Sequence, residues 1–179
     1  MLVNKGANIY LAPILGTDSA TTLLHEAIVR NTDIEDFEFL LSIGETPDAR
    51  DQHGCTPLHV AIRRLSRNAS VSLQHIEALL DAGADANVPE SGGCAPLHLA
   101  IQLLDRCCTG DLCQTVAALT RRLISAGAKI NGRDRQGRTA LHIVAQYGDR
   151  HGTIAGFLIS EGKDIDAQDN SGQTALHIA

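Results

Sequence analysis

Eight histidines and five cysteines in 179 residues supply the side chains that ligate transition metals or act as bases and nucleophiles. Their spacing decides between these chemistries and a structural role. Five of the histidines fall in one recurring signature, which reads Thr22-Leu23-Leu24-His25, Thr56-Pro57-Leu58-His59, Ala95-Pro96-Leu97-His98, Thr139-Ala140-Leu141-His142 and Thr174-Ala175-Leu176-His177. The copies are separated by 34, 39, 44 and 35 residues. Metal ligands must converge on one point, whereas one histidine per period is spread along the chain, so these five are expected to be structural. His53, His75 and His151 lie outside the signature in polar segments and are expected at the solvated surface.

The cysteines lead to a similar reading. Cys55 and Cys94 stand just before the signature, while Cys107, Cys108 and Cys113 crowd one segment. No pair has the C-x-x-C spacing of a structural zinc site, and an odd count argues against a disulfide framework. A reducing, intracellular setting, cytoplasmic or nuclear, is the natural expectation. No G-x-S-x-G elbow, phosphate loop or H-E-x-x-H helix is present, and Gly16-Thr17-Asp18-Ser19 reads as a polar loop. The expectation is therefore no enzyme, no catalytic residue, no metal and no cofactor.

The elements that carry the signature repeat with it. Ahead of each of the last four copies an apolar helical run ends in a glycine, and a polar stretch follows to a second glycine: Gly44 to Gly54, Gly83 to Gly93, Gly127 to Gly137, Gly162 to Gly172. The first glycine suits a helix stop with positive φ, and the second, near Asp51, Glu90, Asp134 or Asp169, suits a tight turn. Thr56, Thr139 and Thr174 stand at N-cap positions, and Pro57 and Pro96 stand where a missing amide hydrogen costs nothing. Ala95 lacks the capping hydroxyl, which predicts a loss on the order of 1 kcal/mol unless a neighbour compensates. Each unit reads as turn, helix, short connection, helix, glycine stop. A period of this length means stacked units with a continuous core.

Leu79-Leu80-Asp81-Ala82-Gly83-Ala84-Asp85-Ala86-Asn87, followed by Gly93 and Pro96-Leu97-His98-Leu99-Ala100, resembles the ankyrin repeat, and the resemblance runs from about Leu2 to Ala179. It implies an all-α ankyrin-repeat solenoid of antiparallel helix pairs, with β-hairpin-like turns projecting from one edge. A single array over 1–179 is expected: a partial repeat at 1–16, repeats at 17–50, 51–89, 90–133 (with an inter-helix insertion) and 134–168, and a partial repeat at 169–179. Both ends then fall inside repeats of a longer array. The resemblance also implies that the signature histidine bonds to backbone of the adjacent turn, and that the signature leucines face the next helix pair.

By the same resemblance, a partner would meet turn residues just before the signature and solvent-facing positions late in the first helix. On this sequence those are Gln52, His53, Arg63 and Arg64, then Ser91, Gln102 and Leu103, then Arg135, Gln136, Arg138, Gln146 and Tyr147, and finally Asn170 and Ser171. Tyr147, Arg63 and Arg64 are the expected anchors, because desolvated aromatic and arginine side chains dominate binding energy.

Two features are individual to this chain. Intervals above the family's length of about 33 place extra residues between the two helices of a unit, around Arg63 to Gln74 and Gln102 to Thr115. Leu65 and Leu104 can prolong the first helices, after which Ser66-Arg67-Asn68-Ala69-Ser70 and Thr109-Gly110-Asp111 look like loop. Charge is also uneven within a net of −6: nine acidic residues oppose Arg30 and Arg50 between Asp18 and Asp51, giving −7, while six basic residues oppose Asp134 between Arg121 and Arg138, giving +5.

An acidic net charge with two tyrosines and three phenylalanines disfavours nucleic-acid binding. No apolar run approaches the roughly 20 residues that span a bilayer, so membrane insertion is not expected. The function expected is a scaffold or adaptor holding a protein partner on its concave turn-and-helix face. The alternative is the recognition arm of a larger enzyme or signalling protein, such as a ubiquitin-ligase receptor or a nucleotide-binding immune-type protein.

Overall fold

A computed structural model describes residues 21–67, 69–106, 111–162 and 164–179. The expected partial repeat at 1–16 and the thiols Cys107 and Cys108 lie outside them. Within the described residues the chain is all helical. Antiparallel pairs follow one another as α1 (Leu23–Arg30) with α2 (Ile34–Ser42), α3 (Pro57–Arg64) with α4 (Ala69–Asp81), α5 (Pro96–Gln102) with α6 (Asp111–Ser125), and α7 (Ala140–Ala145) with α8 (Gly152–Glu161); α9 (Ala175–Ile178) begins a further unit. First helices form one row, α1 on α3 on α5 on α7 on α9, and α2 lies on α4.

The row is close because its inner residues are small or branched in the right places. Leu24, Leu58 and Leu97 are buried together with Ala61, Ala100 and Val144 in one core that runs from Leu24 to Leu158. Each fully buried leucine contributes roughly 1.5–3 kcal/mol. The expected inward leucine holds less well towards the last unit: Leu141 is half-buried, and Leu176, on the α9 that packs against α7, is 85% exposed.

The helix stops also depart at one place. Gly83, at φ +84, closes α4 with its own amide on the Leu80 carbonyl and the Ala84 amide on that of Leu79, a left-handed stop open to glycine at no steric cost. Gly44 and Gly127 share the positive φ. Gly162 does not: it is extended, at φ −86, and its amide returns to the Leu158 carbonyl at 2.7 Å.

Most of the extra residues are helix rather than loop. α4 and α6 have 13 and 15 residues against 9 and 10 in α2 and α8. Ala69 and Ser70 are already in α4, and Asp111 opens α6. Leu65, and Leu103 with Leu104 in a 3-10 turn (Leu103–Arg106), extend the first helices and are buried, which anchors both connections to the core.

Two of the three histidines expected at the surface are buried. His75 faces inward on α4, its ring 4.4 Å from that of Phe37 and its Nε2–H donated to the Thr32 carbonyl at 2.9 Å. His151 is 6% exposed and meets Tyr147 edge-on at 6.0 Å. An amphipathic ring with one bonded nitrogen is a good core filler, which the polar neighbours in the sequence conceal. His53 is exposed, as expected.

Candidate functional site

The exposed edge of the stack is a row of tight turns, three of which, among the described residues, are held by their own aspartate. In the first, the Asp51 amide donates to the Cys55 carbonyl at 2.9 Å and the Gly54 amide to that of Asp51 at 2.9 Å. The Asp51 carboxylate then accepts the His53 and Cys55 amides, both at 2.8 Å. Asp134 does the same for Gln136 and Arg138, at 2.9 Å each, and Asp169 for Ser171 and Gln173, at 2.8 and 2.9 Å. The Gln173 amide, with that of Ser171, holds the Asp169 carboxyl below its ordinary value.

The turn at Glu90 keeps the backbone bonds, from Glu90 to Cys94 at 3.0 Å and from Gly93 to Glu90 at 2.8 Å. Its carboxylate, one methylene longer, reaches instead to the Arg63 guanidinium and accepts the Cys55 thiol at 3.2 Å. Arg63 also donates to Cys55 Sγ at 3.1 Å. Burial, together with the bond to Glu90, pushes the Cys55 thiol up to about 11. Cys55 is therefore a protonated, inert side chain at neutral pH.

Neighbouring turns are bonded into a strip. The Ser91 amide donates to the His53 carbonyl at 3.1 Å, the Arg135 guanidinium to the Ser91 carbonyl at 2.5 Å, and the Asn170 amide to the Gln136 carbonyl at 2.9 Å. The approach is so tight at Gly137 (φ +75) that a Cβ there would lie 2.9 Å from the Asn170 nitrogen.

The signature histidines brace this strip from behind. The Thr56 amide donates to His59 Nδ1 at 3.1 Å, with the threonine hydroxyl 2.8 Å from the same nitrogen. Nδ1 is thus the acceptor, and Nε2–H donates to the Cys94 carbonyl in the next turn at 3.3 Å. His25 reaches the Cys55 carbonyl at 3.0 Å and His142 that of Gln173 at 3.1 Å. His98 reaches Gly132 at 3.0 Å, and at its other nitrogen it keeps only the Ala95 amide, at 3.2 Å. Burial holds His59 and His98 below the ordinary imidazole value, in the neutral form that this bonding requires. Among the described residues no group of histidine, cysteine, aspartate and glutamate is arranged to hold a metal.

Eleven of the fourteen residues expected to meet a partner fall into two places. Gln52, His53, Ser91, Arg135, Gln136, Asn170 and Ser171 are exposed along the turn strip. Arg63, Arg64, Gln102 and Leu103 line a cleft of about 490 Å³ between the ends of α3 and α5. Leu103 was expected to face solvent; it is 8% exposed and forms apolar floor beside Leu99. Arg138 is half-buried against Asp134 at 2.8 Å and helps to hold its turn. Gln146 is exposed at the end of α7, and Tyr147 is half-buried there, its hydroxyl raised above its ordinary value by burial and then by Asp105.

Sequence reasoning missed Glu90, Arg67, Leu99 and Asp105 on the cleft wall. Arg67 lies one helical step beyond Arg63 and Arg64, a spacing that was visible in the sequence. Glu90 carried no comparable signal, since its position reads as a turn residue.

Stacked helix pairs with a braced row of turns along one exposed edge define a helical-repeat solenoid. The chain belongs to the ankyrin-repeat family: the family description "ankyrin repeats (3 copies)" matches residues 24–110 and 112–179. Comparison with curated proteins finds no match. Ankyrin repeats are generally protein–protein interaction modules and typically non-catalytic. No helix among the described residues is long and apolar enough to cross a membrane.

Proposed function

We infer that this chain holds a protein partner on its concave face, formed by the turn strip and the late first-helix residues behind it. The observation that carries this reading is the strip itself. Bonds between successive turns fix backbone that would otherwise move, so Gln52, His53, Gln136 and Ser171 are presented on a pre-organised surface, which lowers the ordering cost of binding. The repeat boundaries given above, with an insertion in 90–133, are the units over which this surface extends. Cys55 and Cys94 are in no disulfide among the described residues, which supports a reducing compartment, cytoplasm or nucleus. A free-standing adaptor and the recognition arm of a larger protein would use the same face.

The test is affinity capture from the source cell's lysate, with the wild-type chain beside a Gln136→Ala, Gln146→Ala, Tyr147→Ala variant of unchanged circular dichroism. Loss of a specific protein from the variant's eluate supports concave recognition. An unchanged eluate places the partner elsewhere.

A further inference from the structure

The cleft behind the turn strip has an unbalanced wall. Three guanidiniums, Arg63, Arg64 and Arg67, stand against the carboxylates of Glu90 and Asp105. Glu90 is taken by Arg63. Arg64 and Arg67 have no ion pair among the described residues, and the Arg64 Nε is buried with no hydrogen-bond acceptor. Arg64 is half-buried and Arg67 exposed, so a ligand carboxylate can pair with the open ends of these guanidiniums. Beside these cations the floor is apolar, with Leu99 and Leu103 at 6% and 8% exposed. The volume of about 490 Å³ admits side chains rather than a domain.

We propose that this cleft receives an acidic side chain of the protein partner together with an adjacent apolar one, the carboxylate set between Arg64 and Arg67 and the apolar group on Leu99 and Leu103. This rests on the concave-face reading and adds the chemistry of the segment that is bound. Asp105 in the lining sets the polarity of the site: it repels a second acidic group near it and so orients the segment. The net charge of −6 works against a long polyanion, which separates this occupant from nucleic acid.

The experiment is fluorescence anisotropy on the full chain with two labelled short peptides, one alternating Glu and Leu and the other alternating Gln and Leu. The Glu peptide is expected to bind about tenfold more tightly at low salt, and the advantage to shrink as salt is raised. Arg67→Gln, an exposed change that leaves the core untouched, is expected to reduce the preference, and Arg64→Gln with Arg67→Gln to abolish it. Equal binding of the two peptides overturns the proposal, as does a preference that survives the double change or tighter binding of oligothymidylate than of the Glu peptide. The capture experiment above uses none of these arginines, so a partner lost there alongside equal peptide binding here removes the acidic occupant and leaves concave recognition standing.

Discussion

The turn at Asp134 and the turn at Glu90 have the same backbone bonds and different work for their carboxylates. Asp134 is short enough to accept two amides of its own turn, and it is closed off further by Arg138. Glu90 leaves its turn and ties it to the preceding unit through Arg63 and Cys55. The difference is one methylene, and it converts a residue that stabilises a turn locally into one that couples two repeats. The same unit lacks the signature threonine, so His98 has one bond fewer than His59. The unit that departs most from the repeat is the one that borders the cleft.

The largest effect is expected where one turn touches the next. Gly137→Ala forces a side chain into positive φ and against the Asn170 backbone, and should cost about 2 kcal/mol or more in urea denaturation. Gly172→Ala, at φ +77 with nothing near its Cβ position, should cost only the backbone part of that, about 1–2 kcal/mol. Equal losses would mean that contact between turns contributes nothing.

Exchanging the acids tests the comparison directly. Asp134→Glu should lose about 2 kcal/mol, because a longer carboxylate cannot accept the Gln136 and Arg138 amides from the same place. Glu90→Asp should change stability by less than about 1 kcal/mol, its carboxylate accepting amides of its own turn while releasing Arg63. Thermal unfolding of the two variants reads the asymmetry.

Acid should weaken the braces. His59, His75 and His98 are held below their ordinary value by burial, so the unfolded chain takes up protons first as pH falls. Their contribution is fully present above the unfolded value of about 6.5 and is lost as pH falls below it towards the folded values. Urea midpoints measured from pH 7.5 to 5 should decline accordingly, and a midpoint that rises would contradict the neutral bracing.

The smallest effect is a gain. Ala95→Thr supplies His98 with the hydroxyl that His59 has, and should stabilise by about 0.5–1.5 kcal/mol. No change on thermal melting would show that the threonine serves something other than the ring nitrogen.

Much of this molecule is legible in its sequence. The repeat and its glycine stops at Gly44, Gly83 and Gly127 follow from short-range patterns that recur in register, and the histidine bond to the next turn was implied by the resemblance to the ankyrin repeat. What was misread shares a cause. His75 looked exposed because its neighbours in the chain are polar, yet Phe37 and the Thr32 carbonyl, from another unit, decide its burial. Arg63 looked like a free anchor until Glu90, 27 residues on, was found to hold it. The first insertion looked like loop because Ser66, Asn68 and Ser70 are polar, whereas Ala69 and Ser70 are already helix and Leu65 draws the connection onto the core; Thr109 and Gly110 of the second lie outside the described residues.

By itself the sequence determined the architecture, since caps, stops and apolar periodicity act within a few residues and repeat themselves. Only the tertiary structure decided which polar groups were already satisfied. That depends on distances between units, where one methylene on Glu90 occupies Arg63, while Arg64 and Arg67 have no ion pair among the described residues.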